Sequence, residues 1–220
     1  MNLVRDVGMK KLGKDFLERF RALPTGSISD AFDRLGIRGV ITCLRPVFEG
    51  TRVAGPAVTL RQVTSTSPET APRHSEVLDK VAQAGDVMVI DCDGRVDVAT
   101  WGGLLSTRAK SKGLEGVVID GATRDVDDIR SMRYPVFVRG FSPATSRTRF
   151  ETVSIQSEVQ CGGVKVRPGD LIVGDDTGII VIPQERVEEV LYVSEGIVAH
   201  EKEVLERLRK GISYFESRRS

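Results

Sequence analysis

An α/β fold is predicted by three features of this sequence. Short, continuous apolar runs recur at 87–91, 117–120 and 136–138, the pattern of strands buried on both faces. Helix-compatible stretches at 104–112 and 125–132 lie between them. Glycine-rich or aspartate-rich turns separate each pair. The resulting order, strand–helix–strand–helix–strand, is βαβαβ, and crossovers of that kind favour parallel neighbours. Ligands in such sheets collect outside the carboxyl ends of the strands. Asp91, Asp120, Arg124 and Asp125 fall at those ends.

In chain order, Leu12, Phe16, Leu17, Phe20 and Leu23 recur at spacings of three and four, which predicts a helix over 8–23, stopped by Pro24. A cap-like start at 25–30 predicts a second helix through Leu35, ended by Gly36. Residues 40–60 alternate as strands broken by Gly50, Gly55 and Pro56, and the polar stretch 62–75 reads as a loop. A short helix at 76–84 leads into the strand at 87–91, whose turn is Asp91-Cys92-Asp93-Gly94. Gly102 and Gly103 bend the chain before the helix at 104–112, and Gly113 stops it. From Phe150 the pattern is β-rich, with strands at 164–166, 171–173 and 179–182 joined by turns at 168–170 and 174–178. A long helix over 184–210 closes the chain, its apolar stripe running from Val187 to Leu208 and taking in Ser194 and Glu201. No internal repeat or linker divides residues 1–220, so one domain is expected.

Composition removes several function classes. Thirty-two basic and 31 acidic residues leave a net charge of +1, which makes no electrostatic case for a nucleic-acid or membrane partner. No apolar run approaches the roughly 18 residues a membrane span needs, and the charged N-terminus lacks a secretory apolar segment. Three cysteines, Cys43, Cys92 and Cys161, are widely spaced and odd in number, which points to a reducing, cytoplasmic setting. Two histidines and no Cys-x-x-Cys pair argue against a zinc or histidine-rich metal site.

Two features carry chemistry. The amides after Gly103 form a helix N-terminus that suits a substrate carboxylate. Arg124-Asp125 places a fixed cation beside a carboxylate, suited to a carboxylate or enolate plus a divalent ion; it also reads as a plain helix start with a surface arginine. Asp91-Cys92-Asp93 reads as a solvated strand-end turn before a carboxylate metal pair, the stretch 174–178 as a hairpin turn lacking a calcium loop's closing glutamate, and His74 as an exposed loop histidine before a base. The thiols read as buried or half-buried, and Trp101 as a core or subunit-contact residue. Glu201, on the apolar stripe, reads either as a stripe-edge charge or as a group facing a partner.

The stretches GDVMVIDCDG (85–94) and WGGLLSTRAKSKGLEGVVIDGATRD (101–125) resemble the class II pyruvate aldolases of 4-hydroxy-4-methyl-2-oxoglutarate and 4-carboxy-4-hydroxy-2-oxoadipate. The same superfamily holds the regulator of ribonuclease E activity, whose members once carried a demethylmenaquinone methyltransferase label; no glycine-rich nucleotide fingerprint supports that label here. The resemblance extends through SISDAFDRLG (27–36), GTRVAGPAVTL (50–60) and PGDLIVGDDTGIIVIP (168–183). It implies a swivelling β/β/α domain in homotrimers or homohexamers with interfacial sites. It further implies that Gly102, Gly103, Leu104 and Leu105, with Arg124, bind a pyruvyl unit, that Asp125 anchors Mg²⁺ or Mn²⁺ largely through water, and that Glu201 of a neighbouring subunit completes the shell. The activity implied is metal-dependent retro-aldol cleavage to pyruvate, with oxaloacetate decarboxylation alongside; the alternative implied is a non-catalytic trimer that binds a protein. One position departs from the aldolase motif of Asp, twenty residues, Arg-Asp: the residue 21 before Arg124 is Gly103.

Overall fold

The computed structural model describes residues 12–67 and 73–218. Helices α1 (Lys14–Ala22) and α2 (Thr25–Leu35) come first, turned at Pro24 as its missing N–H dictates. Residues 8–11 of the predicted first helix lie outside the described residues. Strands β1 (Val40–Ile41), β2 (Arg45–Pro46) and β3 (Val53–Thr64) follow, then α3 (His74–Lys80), β4 (Val87–Asp91) and β5 (Ala99–Trp101). Next come α4 (Gly103–Lys112), β6 (Gly116–Thr123), α5 (Val126–Met132) and β7 (Val136–Phe141). Five strands lie beyond them: β8 (Phe150–Ile155), β9 (Val159–Cys161), β10 (Val164–Val166), β11 (Leu171–Asp175) and β12 (Gly178–Ile182). The chain closes with α6 (Val187–Arg209) and α7 (Tyr214–Ser217).

The predicted βαβαβ unit is present, with β3, β4, β6 and β7 parallel and adjacent in one mixed sheet. β11 and β12 extend the sheet antiparallel beyond β3, and β9 pairs with β10 as a separate hairpin. Burial on both faces, expected from the unbroken apolar runs, is explicit in the side-chain alternation. Met88 and Ile90 of β4, with Val117 and Ile119 of β6, enter the core beneath α3, α4 and α5. Val87, Val89 and Val118 enter the opposite core, which Val159, Cys161 and Val166 of the β9–β10 hairpin cover. A third cluster joins Phe20, Ile28 and Phe32 to Val190 and Leu191 of α6 over β11 and β12.

Several boundaries moved. β6 runs to Thr123 rather than ending at Asp120, with its pairing to β7 slipping between Ile119 and Ala122. β3 continues to Thr64 and α3 begins at His74, so the loop between them is shorter than 62–75. β5 was not anticipated: three residues are too few to show a period. The buried part of the α6 stripe ends at Ile197, with Val198 still packed on the core; Val204 and Leu208 are half-buried and Leu205 is 45% exposed. Glu201 is exposed, so the cost of burying a charge on an apolar stripe does not arise. No helix among the described residues is long and apolar enough to cross a membrane.

Candidate active site

The turn that opens α4 and the turn that opens α5 meet at the carboxyl ends of β5 and β6. Trp101 stands opposite Thr123 in the parallel pairing. The Arg124 N–H and the Thr123 hydroxyl both donate to the Trp101 carbonyl, at 3.0 and 3.1 Å. Trp101 is 2% exposed and its indole N–H donates to Ser106 Oγ at 2.8 Å, so the turn is anchored from below by a satisfied core tryptophan.

The first amide engaged along α4 is that of Ser106, which donates to the Gly102 carbonyl at 3.0 Å. The amides of Gly103, Leu104 and Leu105 therefore lie at the open end of the helix. The sequence-based expectation assigned all three to a substrate. In this structure the Gly103 N–H donates to Asp125 Oδ2 at 3.1 Å, and the amides of Leu104 and Leu105 follow it at the open end of α4. Leu105 packs on the core, whereas Leu104 is 85% exposed at the rim.

Asp125 adopts left-handed backbone angles (φ 54°, ψ 44°), a region that aspartate tolerates better than most side chains. Its carboxylate lies against the glycine turn, with Arg124 Nε 3.5 Å from Oδ2. At both glycines an added Cβ would displace a neighbouring carboxylate. A Cβ on Gly102 would stand 2.5 Å from Asp125 Oδ2 and 3.1 Å from Arg124 Cγ. A Cβ on Gly103 would stand 2.8 Å from Asp128 Oδ2. The motif carboxylate missing at position 103 thus has an acidic neighbour from α5 in the space where it would begin.

These residues line a cavity of about 210 Å³, together with His74, Ala99, Thr100, Trp101, Thr145 and Ser146. That volume suits a small organic acid rather than a drug-sized ligand, which needs about 300 Å³ or more. A larger hollow of about 550 Å³ lies beside Arg167, but there the guanidinium is paired with Glu185 at 2.9 Å. The smaller cavity is the one that holds the open end of α4 together with the Arg124–Asp125 pair. Thr100, Thr145 and Ser146 carried no sequence signal. They reach the cavity because Ala99 N–H donates to the Ala144 carbonyl and Ser146 N–H to the Ala99 carbonyl, at 2.8 and 3.0 Å.

Of the four charged residues expected together at strand ends, Arg124 and Asp125 meet at the cavity and the other two do not. Asp91 and Asp120 are buried, at 3% and 4% exposure, so the reading of a solvated turn at 91–93 is corrected for Asp91 and Cys92, while Asp93 is exposed. Asp91 accepts from the Asp93 amide at 2.9 Å and the Gln160 amide at 3.3 Å; Asp120 accepts from the Gly162 amide at 2.8 Å and pairs with Arg139. Together they pin the β9–β10 hairpin to the sheet. Burial raises the Asp91 carboxyl above its usual range. His74 is also corrected, from exposed to buried: it is 9% exposed and hydrogen-bonded to Gln62. Cys92 and Cys161 are buried free thiols, but Cys43 is exposed. Asp175 and Asp176 tie the 174–178 turn to Thr25 and Gly50, a structural task. Glu201 accepts from Ser27 Oγ of α2 at 3.1 Å and does not line the cavity of its own chain.

Asp125 brings to the cavity the type of oxygen donor that magnesium or manganese takes. The cradle opened by Gly102 would be filled by a Cβ, and the donor it exposes is a carboxylate, the hard oxygen ligand such ions take. Among the described residues no group of three or more His, Cys, Asp or Glu side chains is placed to hold a metal. Asp125 would therefore hold the ion with water filling most positions, as magnesium commonly allows.

Comparison with known proteins places these features in context. A family model described as RraA-like, Aldolase/RraA, matches residues 25–181. A Halalkalibacterium halodurans protein named "Putative 4-hydroxy-4-methyl-2-oxoglutarate aldolase" is 38% identical over 177 residues, covering 80% of each chain. The Legionella pneumophila protein DlpA is 34% identical over 195 residues, which is 88% of this chain but only 32% of DlpA. Among solved structures, an uncharacterised Pseudomonas syringae pv. tomato protein matches with a TM-score of 0.86 at 29% identity, over 95% of this chain and 99% of that one. Streptomyces coelicolor RraAS2, described as an unusual member of the RNase ES inhibitor RraA family, matches with a TM-score of 0.77 at 27% identity, over 91% and 98% of the two chains.

Proposed function

The chain belongs to the RraA-like family, Aldolase/RraA, and from that premise and the cavity geometry we propose that it is a divalent-metal-dependent lyase acting on a 2-oxo acid. The reaction is retro-aldol cleavage of 4-hydroxy-4-methyl-2-oxoglutarate-like substrates to pyruvate, with oxaloacetate decarboxylation as a side activity. Both reactions deliver an electron pair to the same pyruvate enolate. In the first, the C3–C4 bond breaks as the C4 hydroxyl loses its proton; in the second, CO₂ leaves. Protonation at C3 then gives pyruvate.

One observation carries this reading: the open end of α4, the Arg124 guanidinium and the Asp125 carboxylate share one 210 Å³ cavity. The Leu104 and Leu105 amides bind the substrate carboxylate at the positive end of the helix. Arg124 balances the charge that develops on the pyruvyl unit as the enolate forms, an interaction stronger in the transition state than in the ground state. Asp125, held by the Gly103 amide, would hold Mg²⁺ or Mn²⁺. The ion, when bound, supplies polarisation of the 2-oxo group. Buried Trp101 and the β5–β6 pairing keep these groups in register. Relatives named as aldolases at 32–38% identity support the same chemistry.

A homotrimer or homohexamer with interfacial sites belongs to the proposal, as does a cytoplasmic location. The exposure of Glu201 and Leu205 on the last turns of α6 supports a contribution from a neighbouring copy. Purified protein with magnesium or manganese should release pyruvate from one of these 2-oxo acids. Arg124→Ala should abolish release, and Asp125→Ala should remove the metal dependence. No release from any of them overturns the proposal. Gly103, in place of the motif acid, favours a second reading, a non-catalytic protein-binding regulator; a stoichiometric protein partner together with absent metal binding in calorimetry would support that instead.

A further inference from the structure

His74 lies on the cavity wall, yet nothing above gives it a task. The residue is 9% exposed, and Nδ1 stands 3.0 Å from Gln62 Nε2. The orientation of that amide is set from its other end. Gln62 is fully buried where β3 slips register against β8, and its Oε1 accepts from the Thr100 hydroxyl and from the Cys92 thiol, the latter at 3.7 Å. Burial pushes the Cys92 thiol up, so it stays protonated and acts as a donor. With Oε1 occupied by two donors, the amide NH₂ faces the imidazole, and Nδ1 must accept. The proton of a neutral ring then sits on Nε2. Nε2 has no protein partner among the described residues, and His74 is one of the residues that line the cavity. Burial lowers the imidazolium to about 4, which keeps the ring uncharged at neutral pH.

We propose that His74 is a substrate-contacting residue whose Nε2–H, fixed as a neutral donor by the Gln62–Thr100–Cys92 network, binds an oxygen of the 2-oxo acid. This inference rests on the proposed 2-oxo-acid site. A neutral donor adds a directed hydrogen bond without a second positive charge, so charge balance remains with Arg124. It also excludes His74 as the base of the reaction, since its free nitrogen carries a proton.

The chain has two histidines, His74 and His200, which makes a direct test possible. In ¹⁵N-histidine-labelled His200→Gln protein at pH 7, the remaining ring should show a protonated Nε2 and a bare Nδ1, and saturation with pyruvate and Mg²⁺ should move the Nε2–H resonance. His74→Phe should weaken pyruvate binding about tenfold, the scale of one lost hydrogen bond, while His74→Gln, which retains a donor at that reach, should restore most of it. Trp101 fluorescence reports pyruvate binding independently. A bare Nε2 overturns the inference. So does an Nε2–H resonance that ignores pyruvate while Trp101 responds, an outcome that leaves the 2-oxo-acid site standing. Silence from both reporters overturns both.

Discussion

Gly102→Ala isolates the geometry of the site from the stability of the fold. Gly102 has φ −171° and ψ −170°, an extended conformation open to alanine, so the backbone itself is not strained. The added Cβ would meet Asp125 Oδ2 at 2.5 Å and Arg124 Cγ at 3.1 Å. An ordinary carbon–oxygen contact is about 3.4 Å, so the carboxylate must retreat by about 1 Å. That movement loosens the Gly103 N–H to Asp125 bond, now 3.1 Å, and shifts the guanidinium with it. A displacement of this size at reacting groups costs about 100-fold in rate. The expected outcome is a kcat/KM for metal-dependent pyruvate release about 100-fold below the parent, with urea stability within about 1 kcal/mol, the ordinary range for a partly relieved clash away from the main core. Activity within threefold of the parent, in a variant whose Tm is unchanged, would refute the assignment of this turn to the site.

Other consequences follow from particular residues. Because His74 titrates near 4 when folded and near 6.5 when unfolded, the unfolded chain binds the proton that the native state refuses. Stability contributed by the neutral ring is therefore complete above about pH 6.5 and is lost as pH falls towards 4; between pH 7 and 5 the loss is about 2 kcal/mol. Urea denaturation of the wild type and His74→Gln at both pH values should show that difference shrinking in the variant. Ser106→Ala strands the buried Trp101 indole N–H, which should cost about 1–3 kcal/mol and alter the emission of the only tryptophan. Gly196 lies inside α6 with nothing within 4 Å of an added Cβ, so Gly196→Ala should raise stability by about 0.5–1 kcal/mol, read as a higher Tm.

Period and punctuation made the βαβαβ core legible, because apolar runs buried on both faces leave no competing pattern: β4 matches the predicted 87–91 without a shift. The three-residue β5 was invisible for the opposite reason, since its pairing with β6 depends on tertiary contacts and not on any local period. At the site, Gly102, Gly103 and Arg124-Asp125 stood out through residue type, and the structure brings them to one wall. What could not be read was direction. Asp91 ends β4 and Asp120 stands beside it inside β6, and both turn to bond the amides of the β9–β10 hairpin. His74 sits in a stretch of polar loop residues, and only the register slip that buries Gln62 draws it inward. The end of the α6 stripe was readable as apolar, but whether it packs depends on where the body of the chain stops.

The most direct test of the account is a crystal structure of the protein with pyruvate and manganese. The account predicts pyruvate in the 210 Å³ cavity, its carboxylate on the Leu104 and Leu105 amides, its 2-oxo oxygen towards Arg124, and a manganese peak beside Asp125. Pyruvate bound elsewhere, or Arg124 turned away from a ligand that occupies the cavity, would contradict it.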